Sequence, residues 1–457
     1  MILQRILTKP VFSLFILAMV WGMTPAAVAQ TYGVLERLDI APVWSAHPVG
    51  FALLTHGGQQ YVAFYDVDRQ MTVAQRRLDS AEWTMTQLPE RVGWDSHNSI
   101  TMAMDAAGHI HLAGNMHCTP LVYFKTQEPG DSTTFKRITS LVGDMEDRCT
   151  YPKFISGPNG EFIFEYRHGS SGDGINLYNI YDPETETWRR LLDTPLIDGR
   201  GEMNAYPIGP QLGPDGRYHM VWVWRDTPDC ATNHSLSYAR SEDLVHWETS
   251  RGEPLELPIT IDNCEIVDPV PPGGGMINGN TRIGFDAQDR VILSYHKYDE
   301  EGNTQIYNAR LEGEEWRIYQ TTDWEYRWEF SGGGTIQFHV GLSGVTLEDG
   351  ALLQSFRNPE EGGMWKLDPE TFKPVERGSF SPVGSVVAPS AERRPESDFP
   401  EMSVRWRGDS GAAPEENVWY MLRWETLGAN RDRPREEPWP APTMLRLYKM
   451  GPVEQAG

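Results

Sequence analysis

Cysteine, positive charge and helical periodicity are what this chain has little of. Four cysteines in 457 residues exclude a dense disulfide scaffold, and the chain is long enough to build a core without one. Lysine and arginine number 40 against 64 acidic residues, a formal charge of -24. A surface of that sign does not neutralise phosphates, so nucleic acid is excluded as a partner. Should the ligand itself be a polyanion, its site must carry a local basic patch against this field. Long apolar runs are also scarce: Val11 to Met23 is the only one, and it is short for a membrane span. Arg5 and Lys9 flank it and Ala27-Val28-Ala29 follows, so Met1 to Ala29 reads as a secretory signal cleaved near Ala29. A secreted or periplasmic protein with no membrane partner is expected. No stretch carries a convincing helical period, whereas 43 glycines and 33 prolines suit a turn-rich all-β chain.

What is present is a repeat. A strand recurs as YVAFYD (61–66), HLAGNMH (111–117), FIFEYRH (162–168), HMVWVWR (219–225), VILSYHK (291–297), LLQSFRN (352–358) and NVWYMLR (417–423). Copies two to six follow turn signals at Gly108, Gly160, Gly216, Asp289 and Gly350. A third strand succeeds each copy, and a fourth carries an aromatic in six of them: Trp83, Phe135, Trp188, Trp247, Trp316 and Phe372. Seven units of about four short strands predict an all-β, seven-bladed β-propeller over 30–457, a single domain. The seventh unit lacks a fourth strand before the C-terminus, and GVLERLDI (33–40) is expected to supply it, closing the ring. SEDLVHW (241–247) is a degenerate Asp-box, and the Pro-, Glu- and Arg-rich segments 385–400 and 425–442 read as loops of the last blade.

In a propeller the innermost strand starts on the face where the second strand ends, so these positions converge. The predicted exits are Asp66, His117, Arg167, Arg225, His296, Arg357 and Arg423, and the entrances include His47, His97, Tyr151, Tyr206 and His339. Carboxylates are almost absent from the set. Ordinary glycoside hydrolysis needs two of them flanking the scissile bond, and the ring supplies only Asp66. Arg, His and Tyr instead suit β-elimination at a uronic acid. An Arg pairs with the C5 carboxylate and lowers the cost of the enolate-like charge that develops as the C5 proton leaves. A His or Tyr takes that proton and another protonates the departing O4.

The series DSHNSI (95–100), GNMHC (114–118), TYPKF (150–154), EYRHGSSGDG (165–174), NAYPIGP (204–210), WVWRDTPD (222–229) and NHSLSYARS (233–241) resembles the BNR-4-repeat propellers, which include seven-bladed ulvan lyases of marine bacteria. The resemblance runs from about residue 45 to 370. It implies His97 and Tyr151 as the acid–base pair, in either order, with Arg167 neutralising the carboxylate and His117 and Tyr206 helping it. Asn98, Arg225, His296, His339 and Arg357 are the further substrate-binding candidates. Where an Asp is expected after Arg167, this chain has His168, whose role stays open. The implied activity is cleavage of ulvan, a sulfated rhamnose–uronic acid polysaccharide, by a monomer without organic cofactor. Related propellers include α-L-rhamnosidases acting on rhamnose–glucuronate caps, and a non-catalytic glycan-binding propeller is the reading from another class.

The cysteines leave two arrangements open. Cys118 with Cys149 and Cys230 with Cys264 would form disulfides. Alternatively Cys230 and His234, at ligand-like spacing, would hold a structural zinc completed by His168 and Cys264. The acidic loops Asp144–Asp147 and Asp262–Asp268 lack EF-hand spacing, so calcium is the less favoured ion.

Overall fold

A computed structural model describes residues 31–378 and 390–453. The signal read at 1–29 and part of the 385–400 segment lie outside the described residues. Seven antiparallel sheets follow one another along the chain. The first contains Ala52–His56, Gln59–Tyr65, Gln70–Arg77 and Thr84–Arg91, and the others repeat that order. The only helical elements among the described residues are short 3-10 turns at Ser132–Thr134, Cys230–Thr232 and Ser390–Arg393, and none is long and apolar enough to cross a membrane.

The second strand of each blade is sandwiched between neighbouring blades, which is why its sequence is apolar on both faces rather than alternating. Tyr218–Arg225 is buried at every position. The five turn residues predicted ahead of these strands, Gly108, Gly160, Gly216, Asp289 and Gly350, all have positive φ, between 59° and 89°. That left-handed conformation explains four glycines and an aspartate there.

The ring closes as the sequence implies. Thr31–Val43 pairs antiparallel with Thr443–Val453, placing Leu38 opposite Leu447 and Ala41 opposite Leu445. Ile40, Val43, Leu445 and Leu447 join one continuous core cluster with residues of the first three blades. Within it Phe51 of blade one stacks on Trp424 of blade seven at 4.6 Å.

One strand runs differently from the expected repeat. Blade two's second strand is only Ile110–Ala113. The chain then turns through Asn115 (φ 58°), and His117–Thr119 leaves its own blade to pair with Cys149–Ser156 of blade three. His117 is therefore opposite Thr150, next to the residue the sequence marks as Tyr151.

Candidate functional site

The site lies where blades two, three and four meet. Asp95, two residues before His97, accepts a 2.6 Å hydrogen bond from His97 Nδ1 on one oxygen and a short one from His117 Nδ1 on the other. The two imidazoles stack with centroids 4.0 Å apart. Burial would raise the Asp95 carboxyl, but the hydrogen bonds from His117 and His97 outweigh it and hold it well below the usual carboxylate range. With Nδ1 on Asp95, the His97 ring has the Thr335 hydroxyl near both nitrogens, 3.5 Å from Nδ1 and 3.3 Å from Nε2.

Tyr151 sits 5.8 Å from the His97 ring and 6.5 Å from the His117 ring. Its φ of 57° is a strained position for an aromatic residue in a strand, and the register shift between Thr150 and Lys153 marks the bulge that holds it. Burial first, and then the Tyr206 phenol, push its pKa above the ordinary tyrosine value, against the pull of Arg167 and Arg225. Solvent reaches 37% of the residue, which tempers that push and leaves the ring accessible to a ligand.

Arg167 is 2% exposed. Its guanidinium lies over the Tyr151 ring at 4.9 Å and near the Tyr206 ring at 5.9 Å. Nη2 donates to Thr150 Oγ1 (3.2 Å) and Cys118 Sγ (3.5 Å), while Nε and Nη1 are buried with no hydrogen-bond acceptor. Burial works against its charge, but Tyr151 and Tyr206 outweigh it and the pKa is raised. Gly174 is required beside it: a Cβ there would come within 2.0 Å of Asn204 Oδ1 and 3.1 Å of Arg167 Cδ. Tyr206 completes the wall, its hydroxyl 2.6 Å from Ser171 Oγ. Asn98 follows His97, and its backbone carbonyl accepts a hydrogen bond from Tyr65.

Of the remaining expected ligand-binding positions only Arg225 borders this centre, its guanidinium 5.7 Å from the Tyr206 ring. Arg225 is 7% exposed and donates Nε to Thr227 O, Nη1 to Asn278 Oδ1 and Nη2 to Pro228 O, so it ties down its own loop. His296 is 1% exposed, under Trp328 and Phe330, and burial lowers its pKa to about 4. It is a neutral core residue. In the sixth unit the His339 ring stacks on Trp328 at 5.9 Å, and Arg357 donates to the His339 and Phe338 carbonyls. Among the seven expected exits, Asp66 caps its own hairpin and Arg423 is an internal ion pair with Glu425 at 2.9 Å.

The expected disulfides do not form. All four thiols are free. Cys149 is fully buried, its thiol pushed up to about 12 by burial, while Cys118 Sγ faces Arg167 and the Gly169 carbonyl. Cys230 belongs to the core around Trp324 and Trp328, whereas Cys264 packs against the separate cluster of Trp222 and Trp224. The expected zinc set is not among the groupings with metal-ligand spacing in the described residues; His168 Nε2 contacts Asp147 and His234 Nε2 contacts Asp226. The acidic loops are occupied by protein partners, Asp262 by Arg200 and Asp268 by Lys297. Among the described residues the one grouping with metal-ligand spacing is Asp95, His97 and His117, and there the carboxylate oxygens already accept from the two rings.

Two site residues were missed by sequence reasoning. Asp95 was legible in DSHNSI as a carboxylate two positions from a histidine. Asp432 was not, because it arrives from the 425–442 loop of blade seven. Its Oδ1 accepts from Ser96 N (3.1 Å) and Ser96 Oγ (2.8 Å), its Oδ2 from Thr335 N (2.7 Å), and Oδ2 lies 3.4 Å from His97 Nδ1.

A seven-bladed propeller with a His–His–Tyr–Arg–Tyr centre on one face is the class that fold and geometry define. The chain belongs to the BNR repeat-containing family, whose model matches residues 59–324. Curated relatives include the long isoform of ulvan lyase from Alteromonas sp, 26% identical over 300 residues, covering 51% of this chain and 29% of that protein. The long isoform from Glaciecola sp. (strain KUL10) is 37% identical over 159 residues, covering 32% and 15% respectively. The matched segments thus span less than a third of either relative. Among solved structures, the polysaccharide lyase Uly1 superposes with a TM-score of 0.61 at 14% identity, over 92% of this chain and 99% of that one. A PL25 ulvan lyase bound to -[GlcA(1-4)Rha3S]- gives 0.55 at 14% identity, over 91% and 96%.

Proposed function

We propose that this protein is a secreted or periplasmic polysaccharide lyase, acting as a monomer, that cleaves ulvan at its uronic acid by β-elimination. The observation that carries the reading is Arg167: a guanidinium 2% exposed, with Nε and Nη1 lacking acceptors, set over the ring of Tyr151. Buried donors left unpaired are costly, and a carboxylate accepting from the guanidinium would offset part of that cost. The curated relatives, all ulvan lyases, support uronate as the source of that carboxylate.

In this reading Arg167 holds the C5 carboxylate and stabilises the charge that spreads into it as C5 loses its proton. His97 is the base: Asp95 fixes its Nδ1–H, leaving the Nε2 lone pair to take the proton. Tyr151, its phenol kept protonated by its surroundings, gives its proton to O4. The C5–H bond electrons form the C4=C5 double bond, the C4–O4 bond breaks, and the products are an unsaturated uronate and a new hydroxyl end. Hydrolysis is less well served. Asp95 and Asp432 are the carboxylates at hand, both are held below their ordinary pKa by hydrogen-bonding and charged neighbours against the effect of burial, and a glycosidase acid needs its pKa raised.

The test is to incubate the protein with ulvan and follow ultraviolet absorbance together with reducing ends. Elimination raises both in parallel. Reducing ends without absorbance would establish a hydrolase, and binding with neither product a glycan-binding module.

A further inference from the structure

The face that carries the reaction centre has a second recess, 480 Å³ in volume, walled by Tyr298, Arg327, Glu329, Phe330, Ser331 and Arg431. In a chain of formal charge -24, two exposed guanidinium groups from separate loops open into it. Arg327 lies 3.8 Å from the centre of the Tyr298 ring. It donates Nη1 to Gly302 O and Nε to Glu329 Oε1 at 3.3 Å, leaving Nη2 without a partner among the described residues. Arg431 donates Nη1 to Ser331 O (2.9 Å) and Gly333 O (3.2 Å), leaving Nε and Nη2. Its backbone is fixed at φ 52° with N donating to Thr335 O at 3.0 Å, and Gly334 is needed for that approach, since a Cβ would lie 2.5 Å from Arg431 O. The two cations are therefore positioned in advance of any ligand, which lowers the cost of binding one.

The recess is joined to the reaction centre by a single peptide unit. Arg431 directly precedes Asp432, whose Oδ2 is 3.4 Å from His97 Nδ1. A chain lying across His97 thus continues toward Arg431 and Arg327. The geometry points to an anion subsite, in which Arg327, held against the Tyr298 ring, and Arg431 take the sulfate ester or carboxylate of a neighbouring sugar while Phe330 offers an apolar wall to its ring. This rests on the reading of an acidic polysaccharide substrate. Glu329 is no obstacle, because its pairing with Arg327 is between exposed side chains, 80% and 42% open, and such pairs give way to a competing anion.

The variant that tests it is Arg327→Gln, with Arg327→Lys as charge rescue, each checked for an unchanged melting temperature. On ulvan, Arg327→Gln should raise KM roughly three- to tenfold, weaken its salt dependence, and leave kcat within about twofold of wild type, with Lys recovering part of the loss. Repeating the comparison on desulfated ulvan separates the two ligand groups: a penalty that disappears assigns a sulfate, and one that persists assigns a carboxylate. Unchanged KM and salt dependence on native ulvan would overturn the subsite. Should wild type release no unsaturated product, the proposed activity fails instead, and calorimetric titration of the same polymer into wild type and Arg327→Gln still decides the subsite.

Discussion

The imidazole rings of His97 and His117 are stacked at 4.0 Å, 28° from parallel, and they can occupy that position because Asp95 offers each Nδ1 its own carboxylate oxygen. An acceptor on both rings fixes both tautomers at once. Asp95→Asn replaces one of the two acceptor oxygens with a donor, so one ring must reverse its tautomer or lose its partner. In our mechanism the consequence is a protonated His97 Nε2 in a large share of molecules. The expected loss in kcat is on the order of 10² to 10⁴, with KM changing far less. Initial rates of ultraviolet product on ulvan measure it, and a variant with wild-type kcat would reduce Asp95 to a structural residue.

Arg167→Lys retains a charge but loses the planar guanidinium, on which Nε and Nη1 stand unpaired. Transition-state stabilisation should fall by about 2–4 kcal/mol, a rate loss of roughly 30- to 1,000-fold. Tyr151→Phe keeps the ring that stacks under the guanidinium at 4.9 Å and removes only the proton, so it should lower kcat by about 10² to 10⁴ with little change in KM. Steady-state kinetics of the pair distinguishes binding of the carboxylate from proton transfer.

Much of this was written in the sequence and part was not. The repeat fixed the blade count, the ring closure by 33–40 and the positions of His97, Tyr151, Arg167 and Tyr206, because apolar strands and positive-φ turns leave strong local marks. The role of an individual exit position is not local. Arg167 and Arg225 end equivalent strands, yet Arg225 finds Thr227, Pro228 and Asn278 as partners and Arg167 has two donors left over. His296 reads like a site histidine until the 321–340 segment lays Trp328 and Phe330 over it. Asp432 is 336 residues from Ser96 in sequence, a separation no local pattern reveals. The pairing expected of the cysteines failed for the same reason: adjacency in loops does not fix which core each sulfur enters.

Burial of His296 makes stability depend on pH in a defined direction. Its folded pKa is lowered from 6.5 to about 4, so between those values the unfolded chain binds the proton and the native state does not. Stability therefore rises with pH through this window and is lost as pH falls from about 6.5 toward 4. The full difference is on the order of 3 kcal/mol. His47, 2% exposed and also lowered to about 4, mainly by burial, contributes in the same sense. Denaturant unfolding at about pH 7 and about pH 5, on either side of the upper limit of this window, should show His296→Met with a smaller pH difference than wild type. An equal difference would mean that the buried ring is not the proton-linked group.

Closure of the ring supplies the last expectation. Thr31–Val43 forms the outermost strand of the blade whose other three strands, Ser403–Gly408, Trp419–Thr426 and Thr443–Val453, come from the C-terminal end. Removing residues 31–43 takes away the partners of an eleven-residue strand and opens Leu445 and Leu447, now 0% and 1% exposed, along an unpaired edge. Such an edge is a template for intermolecular pairing. It also withdraws Ile40 and Val43 from the core that joins blades seven, one, two and three, and each large apolar side chain lost from a core costs about 2–5 kcal/mol. The truncated chain should aggregate on expression or melt well below the parent, with activity lost in step with folding because Asp432 on blade seven no longer braces Ser96 and Thr335. Thermal melts and light scattering of the two proteins decide the matter, and coincident melting curves would show that the ring holds without its N-terminal strand.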